Sequence, residues 1–342
     1  MSPVSASLET VPEFAVNLPR VYIVLLNWNG WKDTIACLES LSGLDYANAR
    51  WVVCDNGSSD ESAARLHDWA MEGVAAGRLS LAELDREAAL SGGDSGRDAR
   101  LTLIQTGANL GFAGGCNVGI AYALARRDAD YVWLLNNDTV VDAQALTALV
   151  MRAKESDAPG IVGSTLCYLD APDRVQSLGG GTFSPLRAMT RHIADGQARR
   201  DLSEAEARQV EAAMDYVVGA SMLVSRRFLE RVGLMQDDYF LYFEEIDWAE
   251  RARRIDPSLT LGFASRSVVY HKVGASAGTH SRSLLSLRYL TANRLRFVKR
   301  FYRAYLPLAR LAVLWEGSKA LLKGRIGEAR LVLRLALSPV NI

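Results

Sequence analysis

Four short apolar runs along the first half of the chain, each followed by a helix-like stretch, constrain the fold more than any other feature. Val21 to Leu26, Trp51 to Cys54, Leu101 to Gln105 and Tyr131 to Leu135 are near-continuous in Val, Ile, Leu, Trp and Tyr. Runs of this length without period-two alternation fit strands covered on both faces. Between and after them, residues near 33–41, 61–76, 114–127 and 143–154 read as helices. Strand–helix alternation of this kind predicts an α/β fold with a mostly parallel sheet and right-handed crossovers. The segment from Gly77 to Arg100, rich in Gly, Ala and charge and ending in Ser91-Gly92-Gly93-Asp94-Ser95-Gly96, reads as a variable surface loop.

Three of the four strands stop at polar tips: Asn27-Trp28-Asn29, Asp55-Asn56-Gly57-Ser58 and Asn136-Asn137-Asp138. In a parallel sheet the carboxyl ends share one edge, so these tips can converge on one nucleotide-sized ligand. The third strand leads instead into Asn109-Leu110-Gly111-Phe112-Ala113-Gly114-Gly115-Cys116-Asn117, whose glycines allow close backbone approach before a helix starts. Asp138 has two readings: an oxygen ligand for a hard cation, or with Thr139 the cap of a helix beginning near Asp142. Further on, Phe240-Leu241-Tyr242-Phe243-Glu244-Glu245-Ile246-Asp247-Trp248 packs three carboxylates beside aromatics and leads into a helix through Arg254. These carboxylates suit general-base work and equally suit the dipole of a helix start. A strand from Ser267 to Tyr270 ends at His271, followed by Gly274 and Ser276.

The chain of 342 residues, 49% apolar and 23% charged, has an ordinary globular composition. Its zero net charge hides a division. Residues 282–342 hold 13 Lys or Arg against Glu316 and Glu328, so this part carries +11 and the preceding 281 residues carry −11. The acidic body disfavours a nucleic-acid partner. Cys37, Cys54, Cys116 and Cys167 form no CxxC pair and read as buried free thiols, which suits a reducing cytoplasm. Met1 to Arg20 lacks the continuous apolar block of a signal peptide, and no run reaches bilayer length.

Taken in order, Asn27-Trp28-Asn29, Asp55-Asn56-Gly57-Ser58, Asn109 to Gly115, Asn136-Asn137-Asp138, Glu244-Glu245-Ile246-Asp247 and His271 resemble the motifs of family 2 glycosyltransferases, and most nearly their rhamnosyltransferase-type members. The resemblance spans roughly residues 20 to 300 and implies a GT-A fold, a nucleotide-diphosphate-sugar donor such as dTDP-rhamnose, a divalent metal and inversion at the anomeric carbon. It places Asn27, Trp28, Asn29 and Asp55 at the donor's base and ribose. Asn109, Gly111, Phe112, Ala113, Gly114 and Asn117 line the donor pocket, and Asn136 and Asn137 lie by ribose or diphosphate. Asp138 and His271 become ligands for Mn²⁺ or Mg²⁺, the nitrogen ligand favouring Mn²⁺. Glu245 falls where the family more often has an Asp as catalytic base, with Asp247 as the alternative. Asn136 replaces the first carboxylate of the usual Asp-x-Asp pair. UDP-galactofuranose or UDP-hexose donors, and a non-catalytic sugar-nucleotide-binding protein, are the competing readings.

Residues 1–281 are thus read as the transferase domain and 282–342 as a basic, amphipathic helical region. In the latter, cations interleave with Leu290, Leu295, Phe297, Phe301, Tyr305, Leu308, Leu311 and Leu314. Such helices either lie on an anionic membrane surface or pack on the core or on a second copy in a homodimer. The first possibility places the enzyme at the inner face of the cytoplasmic membrane, near a glycan or lipid-linked acceptor.

Overall fold

A computed structural model of the chain describes residues 18–94, 98–155, 157–272 and 283–340. Most of the Met1-to-Arg20 segment, together with Ser95, Gly96, Gly274 and Ser276, lies outside the described residues. The alternating half contains β1 (Val21–Asn27), α1 (Trp31–Leu41), β2 (Ala49–Asp55), α2 (Ser62–Ala75), β3 (Leu81–Asp85), α3 (Arg86–Leu90), β4 (Leu101–Gln105), α4 (Gly111–Ala125), β5 (Tyr131–Asn136), β6 (Thr139–Val141) and α5 (Ala145–Ala153). The second half contains β7 (Ile161–Tyr168), β8 (Val175–Leu178), β9 (Gly180–Ser184), β10 (Met189–His192), α6 (Glu204–Ala212), β11 (Tyr216–Val217), β12 (Ser221–Ser225), α7 (Arg226–Val232), α8 (Glu244–Ile255) and β13 (Leu261–His271). Three helices follow: α9 (Leu284–Phe301), α10 (Leu306–Leu322) and α11 (Ile326–Leu337).

The main sheet runs β3-β4-β2-β1-β5-β12-β7-β13-β6, with β8 on β7. Its first five strands are parallel, as the alternation requires. The strand β12 then enters antiparallel between β5 and β7, so the sheet is mixed beyond β5. Apolar layers fill both faces. Ile23, Leu25, Val53 and Trp133 belong to one buried cluster, and Val24, Val52, Leu134 and Ile120 to the other.

Three expectations need correction. The surface loop read over Gly77 to Arg100 contains a strand and a helix, because Leu81 pairs with Leu101 and the alternating run Leu81–Asp85 adds a parallel edge to β4. The passage after Asp138 is no direct strand-to-helix turn: β6 pairs antiparallel with β13 before α5 starts at Ala145. The glycine-rich stretch is not a loop preceding a helix. The helix begins at Gly111, so Phe112, Ala113 and Gly114 form its first turn.

The glycines of α4 bring that helix onto the sheet. A Cβ at Gly115 would stand 2.3 Å from Leu26 Cδ1, and one at Gly119 would stand 2.5 Å from Val24 Cγ1 and 3.1 Å from Cys54 Sγ. Spaced four apart, they form a flat strip against β1 and β2. On an exposed helix face Gly→Ala gains about 1 kcal/mol from propensity. Here the stiff, buried Val24 cannot turn away, so Gly119→Ala should lose roughly 1–3 kcal/mol through overpacking. Urea unfolding monitored by circular dichroism checks the sign.

Candidate active site

Parallel pairing sets Asn27 opposite Asp55 and Leu26 opposite both Cys54 and Asn136, so the three polar tips emerge side by side. Asn27 is fully buried and its amide is spent locally. Its Nδ2 donates to Asp55 Oδ1 at 2.7 Å and to Ser58 Oγ at 3.2 Å, and its Oδ1 accepts from Thr34 Oγ1 at 2.8 Å. Ser58 Oγ also donates to Asp55 Oδ1 at 2.6 Å, while Asp55 Oδ2 receives only a long bond of 3.3 Å from Ser58 N. Asn27 therefore aims Asp55 and leaves one carboxylate oxygen lightly engaged. Asn29 has a positive φ of 52° and accepts from Ser59 N at 2.8 Å, which joins the tips of β1 and β2. Trp28, by contrast, projects from the tip with 52% of its surface exposed.

On the other side of β1, Asn137 Nδ2 donates to Thr34 Oγ1 at 2.9 Å, linking the third tip to the first. Asn109 is exposed and accepts from Asn56 Nδ2 and Gly111 N at 3.1 and 3.0 Å, and Asn56 Oδ1 in turn accepts from Leu110 N. Ala113 and Gly114 are buried in the first turn of α4, and Asn117 spends its amide on the Met235 backbone at 2.9 and 3.1 Å. Of the residues expected to line the donor pocket on this segment, Asn109 presents itself to solvent, whereas Ala113, Gly114 and Asn117 shape the backbone around it.

The antiparallel pairing of β6 with β13 sets His271 opposite Thr139, and Lys272 N donates to Asp138 O at 2.9 Å. This pairing brings two residues 133 positions apart into contact: His271 Nε2 lies 3.2 Å from Asp138 Oδ1 and 3.3 Å from Asn136 Nδ2. The opposite ring nitrogen, Nδ1, lies 3.0 Å from Gln176 Oε1. An amide oxygen only accepts, so Nδ1 carries a proton, and in the neutral ring Nε2 then turns its lone pair toward the Asp138 carboxylate. Two lone pairs facing one another at this distance make a place for a cation, and the histidine is oriented as metal-ligating histidines are. Among the described residues there is no group of three or more His, Cys, Asp and Glu that could hold a metal.

The second acidic group sits at the start of α8. Phe240, Tyr242 and Phe243 have φ of 65°, 70° and 81°, a left-handed region that aromatic residues seldom enter. Two contacts hold this turn. Phe112 N donates to Phe240 O at 2.7 Å, across from Gly111, where a Cβ would approach that same oxygen to 2.4 Å. Buried Asn293 of α9 directs its Nδ2 at the carbonyls of Tyr239, Leu241 and Tyr242, at 2.8, 2.8 and 3.2 Å. Neither Asn293 nor Gln176 carries a sequence signal, since a lone amide in a helix or a short strand has no pattern.

The turn delivers Glu244 and Glu245 into the first turn of α8. Burial and the adjacent Glu245 charge push the Glu244 carboxyl well above the usual range, and its Oε1 has no partner within the protein. Glu245 is half-buried, and desolvation pushes it up to about 7. Asp247 differs. It is fully buried, Oδ1 accepts from Arg251 Nε at 2.7 Å, and Oδ2 accepts from Tyr239 Oη and Arg300 at 3.0 and 2.8 Å.

The site thus combines the polar strand tips of a mixed sheet, a carboxylate–imidazole pair and an acidic helix start. The profile of Glycosyl transferase family 2 matches residues 22–233, more than half of the chain, and the chain belongs to that family. It is 24% identical over 237 residues to the low-salt glycan biosynthesis hexosyltransferase Agl10 of Haloferax volcanii. That match covers 69% of this chain and spans 62% of the relative's length. Two solved structures share the fold. The mannosyltransferase PcManGT from Pyrobaculum calidifontis, in complex with GDP-Man and Mn²⁺, has a TM-score of 0.51 and 16% identity over 94% of this chain and 85% of its own. GalNAc-T7 with UDP, GalNAc and Mn²⁺ has a TM-score of 0.60 and 13% identity over 89% of this chain and 52% of its own. The architecture is the GT-A fold.

Asn293→Ala takes the side-chain donor from three carbonyls of a strained turn, of which Tyr239 O keeps Leu241 N. It should cost roughly 1–3 kcal/mol of stability, read by urea titration.

Proposed function

We propose that this chain is an inverting, divalent-metal-dependent glycosyltransferase that moves L-rhamnose from dTDP-rhamnose onto a hydroxyl of a glycan or lipid-linked acceptor. The Asp138–His271 pair, with the imidazole tautomer held by Gln176, carries this reading. One carboxylate oxygen and one neutral imidazole nitrogen suit Mn²⁺ better than Mg²⁺, which prefers oxygen and water. When bound there, a divalent cation supplies Lewis-acid stabilisation of charge on a departing diphosphate. The rhamnosyl donor rests on the motif resemblance. Agl10 is named a hexosyltransferase, PcManGT was solved with GDP-Man and GalNAc-T7 with UDP, and UDP-sugars are the competing donors for this chain.

The protein's own residues perform the proton work. The acceptor hydroxyl gives its proton to the Glu245 carboxylate as its oxygen bonds to the anomeric carbon. The bond from that carbon to the diphosphate oxygen breaks, and the electron pair leaves with the nucleotide diphosphate. A carboxyl that desolvation pushes up to about 7 is well matched to this step. Asp247 is unsuited to the role because both its oxygens are held by Arg251, Arg300 and Tyr239. Asp55 offers the sugar nucleotide a lightly engaged carboxylate oxygen, exposed Asn109 offers its Nδ2 as a hydrogen-bond donor, and exposed Trp28 offers a face for stacking.

Two tests follow from this arrangement. Calorimetric titration with dTDP-rhamnose and with UDP-sugars, each with Mn²⁺ and with EDTA, should show metal-dependent binding of dTDP-rhamnose; Gln176→Leu should weaken Mn²⁺ binding about 10- to 100-fold. Preference for a UDP-sugar discards rhamnose, and no binding of any sugar nucleotide sinks the reading. Glu245→Gln should retain donor binding and lower kcat about 10²- to 10⁴-fold. The base works ionised, so kcat/KM of the native chain should rise with pH to an inflection near 7 and then level, an inflection Glu245→Gln removes.

A further inference from the structure

The helix α10 is apolar on two opposite faces. Ala309, Val313, Gly317 and Ala320 are buried, and Gly317 lies so close to α11 that a Cβ would meet Leu333 Cδ2 at 2.8 Å. The other face carries Leu308, Leu311, Trp315 and Leu322, with spacings of three, four and seven that keep them in one stripe. Their exposures are 45%, 60%, 60% and 84%. A helix that is hydrophobic all round belongs inside a protein or against an apolar phase. Folding uses only one of these two faces.

The charges around the stripe indicate the occupant. Exposed Arg303 lies just before the helix, Lys323 just after it, and Lys319 within the stripe, with Nζ 5.0 Å from the centroid of the Trp315 ring. The two acidic residues of the region are neutralised: Glu316 pairs with Arg294 at 2.5 Å and Glu328 with Arg325 at 3.0 Å. A second copy docking through the same stripe would bring these cations against each other. An anionic lipid surface accepts both the leucines and the cations, and tryptophan and lysine are suited to its headgroup level. We propose that the outward face of α10 is a peripheral docking surface for an anionic bilayer, with Leu308, Leu311, Trp315 and Leu322 entering the headgroup boundary. Among the described residues no helix is long and apolar enough to span a membrane, so the contact lies in the interface plane. This inference stands apart from the donor and the catalytic base.

Co-sedimentation of the full chain with vesicles of phosphatidylcholine and phosphatidylglycerol in equal parts tests it, with phosphatidylcholine alone as the comparison. Binding should require phosphatidylglycerol and fall with added salt. The double variant Lys319→Gln, Lys323→Gln should bind on the order of twentyfold less tightly. These are surface positions, and circular dichroism verifies that the variant folds. In the unaltered chain, bromine-labelled lipid should quench a component of tryptophan fluorescence that Trp315→Phe removes. Failure to sediment, equal binding to both vesicles, or quenching unchanged by Trp315→Phe each overturns the proposal. Concentration-dependent dimerisation without lipid, abolished by Leu311→Glu, would assign the stripe to a second copy and overturn it too.

Discussion

The parallel register around β1 is the constraint on which the site depends. Leu26 stands level with Cys54 on one side and Asn136 on the other, and Asn27 with Asp55. Both sheet faces are covered by apolar clusters, so a slip of one residue would move each buried set to the wrong layer. Hydrophobic burial thus fixes the height at which three polar tips end. The tips could not be packed together as unpartnered amides, because a buried polar group without a hydrogen bond is costly. Thr34 resolves this by serving two tips, donating to Asn27 and accepting from Asn137. The core decides where the tips lie, and α1 supplies the hydroxyl that lets them lie there.

Onto this edge the chain returns twice from far along the sequence. The first return is β13, whose pairing with the three-residue β6 carries His271 back to Asp138. The second is α9, whose Asn293 holds the turn before α8 while Arg300 joins Asp247 and Asp238 at 2.8 and 2.7 Å. Three aromatic residues at positive φ store strain at that turn, and strain persists only where surrounding contacts over-determine the conformation. Phe112 N from α4 and Asn293 from α9 provide those contacts from opposite sides. The donor-side helix and the C-terminal helix therefore meet at the turn that presents Glu245.

Much of the frame was legible because it is written in local periodicity. The apolar runs at β1, β2, β4 and β5 and the polar tips after them needed only strand burial and the carboxyl-end rule. Residues 81–90 were obscured because an edge strand is short and half polar, and so it reads as loop. The start of α4 was placed three residues late because glycine suggests flexibility, whereas Gly115 and Gly119 serve close helix–sheet contact. Gln176 and Asn293 left no trace, since their partners are 95 and at least 51 residues away in sequence. Asp247 shows the opposite case. It has the right type and place for a base, and only three-dimensional contacts reveal that its charge is already matched.

The division of charge between body and tail follows the same helices. Two cations of α9 are held in ion pairs: Arg294 meets Glu316, and Arg300 meets Asp238 and Asp247. These pairs are partly or wholly shielded from water, so losing either partner would strand a charge rather than release one. The exposed Lys319 and Lys323 meet no carboxylate among the described residues. A chain whose +11 and −11 halves cancel feels little net pull toward an anionic surface, but the field of that surface attracts one end and repels the other. The effect is orientation rather than simple capture. Leucines confined to the same basic end can then engage only when that end faces the lipid, and α9, hydrogen-bonded through Asn293 to the turn before Glu245, fixes how the rest of the protein is presented.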